Sequence, residues 1–136
     1  MKAREVFERC QDDATLPDAD IVIGADTVVV MDNDVLEKPR DEAHALAMLQ
    51  RLSGQTHQVF TGVHIIYKSD SEVKQTGFVE CTRVKFSEID SDTMAAYIAS
   101  GEPFGKAGSY GIQGTASLFV EWIHGDYWNV VCRWLT

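Results

Sequence analysis

Ten residues constrain this chain more than any others: Ile21-Val22-Ile23-Gly24-Ala25-Asp26-Thr27-Val28-Val29-Val30. The run is β-branched and apolar on both of its alternating faces, which predicts a central strand covered on both sides and therefore a layered α/β fold. A single carboxylate, Asp26, interrupts it. Burying a carboxylate is costly unless it is paired, hydrogen-bonded or metal-bound. Asp26 can lie at a strand end and bond a neighbouring backbone amide. Alternatively, it is a metal ligand or general base near the carboxyl end of a central strand, where open α/β sheets place their ligands. Gly24 and Ala25 are small enough to let a phosphate or a substrate backbone come close.

The rest of the chain alternates helical and extended patterns. Ala3, Val6, Phe7 and Cys10 recur at helical spacing over Lys2 to Gln11. Asp32-Asn33-Asp34 is turn chemistry, and Val35 to Lys38 is a short extended return before Pro39. Asp41 is placed to cap a helix from Glu42 to Leu52, which Gly54 stops. Gln58–Tyr67 and Val73–Phe86 read as two long strands around the polar turn Ser69-Asp70-Ser71. Asp90 or Ser91 caps a further helix that ends before Gly101, and Ser117–Ile123 reads as a last strand. With no repeat or linker, residues 1–136 are expected to form one domain, a mixed twisted sheet flanked by helices.

Composition narrows the partners. A formal charge of −9 argues against a nucleic-acid polymer, whose phosphates demand a basic face. It leaves room for a small polyanion held by a few converging cations and a divalent metal. The apolar run is broken by Asp26, so no membrane span is expected, and the N-terminus has no apolar signal core. Three separated cysteines, Cys10, Cys81 and Cys132, fit free thiols in a reducing, cytoplasmic setting.

Two further features bear on such a polyanion. The hairpin return should bring Lys38 back beside the strand that carries Asp26, and a carboxylate-held metal plus a lysine is minimal equipment for polarising phosphates. The segment Gly101 to Gly114 carries five glycines and Lys106, a combination that lets backbone and cation approach a ligand or simply makes a tight connection. It is not a Walker A loop, because Ala107 follows the lysine and Ser100 stands where the first glycine is required. Gln113 can orient a water or a base edge. His57, Thr61, Arg83 and Lys85 read as edge or solvent-facing residues. Trp122, Trp128 and Trp134 read as packing residues, since no basic groove accompanies them.

Several ordered strings together resemble the Maf-like nucleotide pyrophosphatases. They are Val22-Ile23-Gly24-Ala25-Asp26-Thr27-Val28-Val29, Leu36-Glu37-Lys38-Pro39, Leu49-Gln50-Arg51-Leu52-Ser53-Gly54 and His57-Gln58-Val59-Phe60-Thr61-Gly62-Val63. Gly101-Glu102-Pro103, Lys106-Ala107-Gly108-Ser109-Tyr110-Gly111-Ile112-Gln113-Gly114, Leu118-Phe119-Val120 and Gly125-Asp126-Tyr127-Trp128-Asn129-Val130-Val131 continue the match. The resemblance implies a fold similar to that of inosine triphosphatases and a homodimer. It also implies hydrolysis of a pyrimidine or modified nucleoside triphosphate to the monophosphate and pyrophosphate, with Mg²⁺ or Mn²⁺. It assigns Asp26 as metal ligand or water-activating base, Lys38 and Gln113 as catalytic, and Thr27, Lys106 and, more weakly, Lys2 as substrate-binding.

The sequence departs from that family at three places. Family members open with a strand and a Ser-x-Ser-Pro-Arg-Arg loop followed later by a site carboxylate, and no such string occurs here. The ending Cys132-Arg133-Trp134-Leu135-Thr136 replaces a Gly-Leu-Pro continuation, and Gly105 stands where many members carry an acid. The expectation is a chain that starts beyond the first phosphate loop, and the alternative to catalysis is an impaired relative that binds nucleotide or a partner without turnover.

Overall fold

Two tight turns set the strand register. In a computed structural model, which describes residues 2–131, β1 (Ile21–Met31) turns back through Asp32 and Asn33 into β2 (Asp34–Leu36). Asp32 and Asn33 have φ of 51° and 66°, the left-handed pair that a two-residue hairpin needs and that Asp and Asn tolerate. The pairing is antiparallel, with Val29 opposite Leu36 and Met31 opposite Asp34. Asp70 and Ser71, at φ 50° and 68°, make the same kind of turn between β3 (Thr56–Ser69) and β4 (Glu72–Phe86). β5 (Val120–His124) pairs antiparallel with the end of β4, giving a five-stranded sheet in the order β2-β1-β3-β4-β5.

The helices form where capping chemistry permits. α1 spans Lys2–Asp12, α2 Glu42–Leu52, α3 Ser91–Ala99 and α4 Tyr127–Val131. Asp41 accepts the His44 amide at 2.7 Å and Asp90 the Thr93 amide at 2.8 Å, so both N-caps are of the side-chain type. Each contributes about 1 kcal/mol. The architecture is the α/β layering expected, with nearly the expected element boundaries.

The chain divides into two compact units. The first takes the described residues up to Asp26 together with Gly62–Val79. Its small core is Ala3, Phe7 and Ile66, with Val22 against it. A Cβ placed on Gly24 would come 2.8 Å from the Ala3 Cβ, so the small residue at this point admits helix α1. That space is taken by the protein itself, not left for a phosphate. Ile21 and Ile23 are 60% and 48% exposed, which corrects the expectation of a doubly covered strand. Within this unit α1 covers the Val22 face, and no other helix of the unit lies on the face of Ile21 and Ile23.

The second unit takes Thr27–Thr61 and the described residues from Glu80 onward. Leu49 and Leu52 of α2, Val84 and Phe86 of β4, Tyr97 of α3, and Tyr110 share its core. α2 packs against α3 and against the short 3-10 turn Ala107–Ser109. A second 3-10 helix, Thr115–Phe119, occupies the start of the segment expected to be a strand, and β5 begins only at Val120. Trp122 and Trp128 are exposed, contrary to the packing role expected of them, because the half-buried Ile123 takes the inward position of β5 and Trp128 stands on the outer side of α4. Trp134 and Cys132 lie outside the described residues, while Cys10 and Cys81 are free thiols. No helix among the described residues is long and apolar enough to cross a membrane.

Candidate functional site

The β1–β2 hairpin builds one wall of an open pocket in the second unit. Its register, Val29 against Leu36, returns the chain so that Glu37 and Lys38 emerge near Thr27 and Val28. The pocket has a volume of about 340 Å³ and is lined by Thr27, Val28, Val35, Leu36, Glu37, Lys38 and Ala107. Pro39 is buried just beyond the lysine and halts β2, whereas Lys38 itself is exposed. Lys38 makes no ion pair among the described residues. An uncommitted cation on an open, mostly apolar concavity suits an anionic ligand with an apolar part.

Ala107 brings the glycine-rich segment to the lining of this pocket. The segment is fastened at several points. The Gly108 amide donates to the Glu37 carbonyl at 3.3 Å, and the Ser109 hydroxyl donates to Met48 Sδ at 3.1 Å. Gly108 and Ser109 both have positive φ, 68° and 65°, and only the first is free of cost there. The Glu102 carboxylate accepts the Thr115 amide at 3.0 Å and the Ala116 amide at 3.4 Å, capping the second 3-10 helix from outside. Gly114 is required for this, since a Cβ there would lie 2.0 Å from Glu102 Oε1. Burial pushes the Glu102 carboxyl up, but the Thr115 and Ala116 groups and the Lys106 charge together bring it below the usual carboxylate range. Tyr97, whose hydroxyl reaches Glu102 at 3.5 Å, is pushed up by burial and then by that carboxylate.

Lys106 is engaged within the same segment. Its Nζ donates to the Glu102 carbonyl at 2.6 Å, and its stem lies against Gly111. Gln113 is exposed in the turn that follows. Thus Thr27 and Lys38 line the pocket, Lys106 adjoins its wall through Ala107, and Gln113 belongs to the same segment. Asp26 and Lys2 belong to the other unit. Lys2 is exposed at the start of α1. Asp26 is exposed too, and stands at mid-strand instead of the carboxyl end, one residue before Thr27. Its carboxylate therefore escapes the desolvation cost that buried groups carry.

Polar groups that sequence reasoning placed outside prove to be internal. His57 is 1% exposed, with Nε2 2.7 Å from the Tyr110 hydroxyl and its ring edge-on to Phe86 and Tyr110. Burial holds its pKa down at about 4. Thr61 is buried and bonds Thr27 hydroxyl to hydroxyl at 2.7 Å. Lys85 is half-buried with Nζ on the Gly54 carbonyl, and only Arg83 stays exposed, against His124 Nδ1 at 2.6 Å. His57 and Thr61 alternate inward along β3, and Tyr110 and Thr27, distant in sequence, meet His57 Nε2 and the Thr61 hydroxyl. A second knot joins β4 to the turn before α4. The Thr82 hydroxyl donates to the Asp126 carbonyl at 3.0 Å and accepts the Asp126 amide at 3.0 Å. It also accepts Asn129 Nδ2 at 2.9 Å, and that amide group donates to the Val59 carbonyl at 3.1 Å. The strings around Glu102, His57, Tyr110 and Asn129 were visible in the sequence, but nothing local marked their roles.

Among the described residues no three His, Cys, Asp or Glu side chains converge to hold a metal ion. A hard divalent cation at Asp26 would take most of its ligands from phosphate oxygens and water, the usual arrangement for Mg²⁺, and a carboxylate oxygen suits it.

Comparison with known proteins shows the family. A family model described as Maf-like protein matches residues 1–132. A dTTP/UTP pyrophosphatase of Thermococcus gammatolerans is 52% identical over 131 residues, covering 96% of this chain and 64% of that protein. A dTTP/UTP pyrophosphatase of Clostridium acetobutylicum is 46% identical over 132 residues, covering 96% of this chain and 65% of that protein. A third, from Bacillus cereus, is 54% identical over 111 residues, covering 82% of this chain and 56% of that protein. The chain thus spans less than two-thirds of the length of these relatives.

Proposed function

The chain belongs to the Maf-like family, and from that premise we propose that it carries out, or forms much of the machinery for, hydrolysis of dTTP or UTP to the monophosphate and pyrophosphate. The observation that carries this reading is the pocket of Thr27, Val28, Lys38 and Ala107, an apolar concavity with an uncommitted lysine at its rim. Relatives named dTTP/UTP pyrophosphatase support the choice of substrate. Lys38 neutralises charge on the triphosphate as it accumulates toward the transition state. Asp26 accepts a proton from the water that attacks the α-phosphorus. The bond from that phosphorus to the bridging oxygen breaks, and pyrophosphate leaves with the electron pair. Gln113 orients the water or the base edge, and Lys106 adds charge toward the phosphates. Asp26 would also hold Mg²⁺ or Mn²⁺, which supplies further charge neutralisation on the phosphate oxygens.

A second reading has an observation of its own. Lys106 is already bonded to the Glu102 carbonyl, so a phosphate must displace that bond, and a chain that binds nucleotide without turnover fits this state. Pyrophosphate release with Mg²⁺ or Mn²⁺, measured across dTTP, UTP, purine and methylated triphosphates, decides between them. Release confined to pyrimidines and abolished in Asp26→Asn is the expected result. Nucleotide binding with no release from a folded chain would overturn the catalytic reading in favour of the second.

A further inference from the structure

The wall that Ala107 contributes to the pocket depends on a segment with few apolar anchors of its own. Between Ala107 and Gln113, the side chains of Ser109, Tyr110 and Ile112 are buried, and the two larger ones join the hydrophobic core of the second unit. Ile112 enters the core as an ordinary hydrophobe, but Tyr110 does so carrying a hydroxyl. Burying that hydroxyl is tolerable only with a partner, and the partner is His57 Nε2 at 2.7 Å. The His57 and Tyr110 rings stack edge-on at 5.4 Å, and Phe86 closes the triangle at 5.0 Å from His57 and 4.8 Å from Tyr110. His57 Nδ1 is buried without a hydrogen-bond partner. A residue kept inside at that cost, where a hydrophobe of similar size would pack, is held for its one polar contact.

We infer that His57 and Tyr110 are positioning residues: their hydrogen bond latches the glycine-rich segment to β3 and so holds the Ala107 wall and Lys106 at the distance from Lys38 that a nucleoside triphosphate requires. The inference rests on the pyrophosphatase reading for the identity of the ligand, but the latch itself does not. Neither side chain lines the pocket, so neither acts on substrate directly. Two other features agree with a latch. Ser109, next to Tyr110, holds a positive φ of 65°, a conformation that a neighbouring anchor must maintain. The Gly108 amide, two residues away, meets the Glu37 carbonyl only at 3.3 Å, too long to fix the wall alone.

Tyr110→Phe removes the hydroxyl and keeps the ring, so it tests the latch with the least risk to folding. Two readouts are needed. Amide hydrogen exchange over residues 106–111 should accelerate at least tenfold, with exchange in α3 unchanged. Affinity for the α,β-imido analogue of UTP, which resists cleavage at the reacting bond, should fall about tenfold with only a small change in melting temperature. His57→Gln, which can still offer a hydrogen bond to the tyrosine, should restore part of both relative to His57→Leu. Unchanged exchange in the segment overturns the latch. Faster exchange with unaltered affinity overturns the positioning role. A wild-type chain that ignores the analogue defeats the pyrophosphatase reading and with it the substrate-positioning role, while the exchange measurement still decides whether the latch exists.

Discussion

In the tail of the β1–β2 hairpin, Lys38 is exposed beside an open pocket and makes no ion pair among the described residues. In the glycine-rich segment, Lys106 is half-buried, its ammonium spent on the Glu102 carbonyl and its stem packed on Gly111. Both lysines come from strings of the same family, yet one is available to a ligand and the other already helps to shape its own loop. A charge that answers to a ligand must be uncommitted beforehand or must exchange one bond for another, and only the first costs nothing at the moment of binding. The difference also separates two kinds of rigidity. The hairpin is fixed by local turn chemistry, whereas the glycine-rich segment is fixed by partners far along the chain: Glu37, Met48 and His57.

The comparison can be broken in several ways. The largest effect is expected at Asp26, next along β1 from the pocket residue Thr27. Asp26→Asn should lower pyrophosphate release by about 10³-fold, the scale of losing a principal electrostatic group. Equal activity in the variant would remove Asp26 from the site.

Acid should act on the other region. His57 titrates near 4 when folded and near 6.5 when unfolded, so between those values the unfolded chain binds the extra proton. Stability is therefore full above about pH 6.5 and declines as pH falls toward 4, by about 3 kcal/mol in all. Urea titrations at pH 7, 5.5 and 4.5 measure the slope, and His57→Leu should flatten it. A wild-type slope that persists in the variant would assign the effect to other groups.

Gly114→Ala should destabilise by about 2 kcal/mol, since the new methyl expels the Glu102 carboxylate from the amides it caps. Glu102→Gln, which keeps the shape and part of the bonding, should cost less. Chemical denaturation of both variants orders them, and the reverse order would mean that the cap contributes little.

Much of this was legible in the sequence where the determinants were local. Asp41 and Asp90 announced their helices, and Asp32-Asn33 and Asp70-Ser71 announced their turns, because a cap or a turn is decided within four residues. The hairpin also returns the chain alongside β1, since register follows from turn length, and Lys38 and Thr27 line one pocket. The failures were non-local. Ser117–Phe119 reads as the start of a strand, but Glu102 takes the Thr115 and Ala116 amides and Thr115–Phe119 forms a 3-10 helix. His57 and Thr61 looked solvent-facing because polar residues usually are, and their partners Tyr110 and Thr27 could not be found by inspecting β3 alone. Asp26 looked buried because its strand is apolar, while the face of Ile21 and Ile23 is in fact open within the first unit.

The most direct measurement sets the two lysines side by side. Affinity for the α,β-imido analogue of UTP, determined by calorimetry for Lys38→Ala and Lys106→Ala with Mg²⁺ present, asks which cation the triphosphate uses. The uncommitted lysine should lose about 30-fold or more, as expected for a charge-assisted phosphate contact worth about 2 kcal/mol. Lys106→Ala should lose less than about tenfold, because its bond to Glu102 offsets whatever it gives the ligand. A larger loss at Lys106 than at Lys38 would contradict the account and move the phosphate site from the hairpin to the glycine-rich segment.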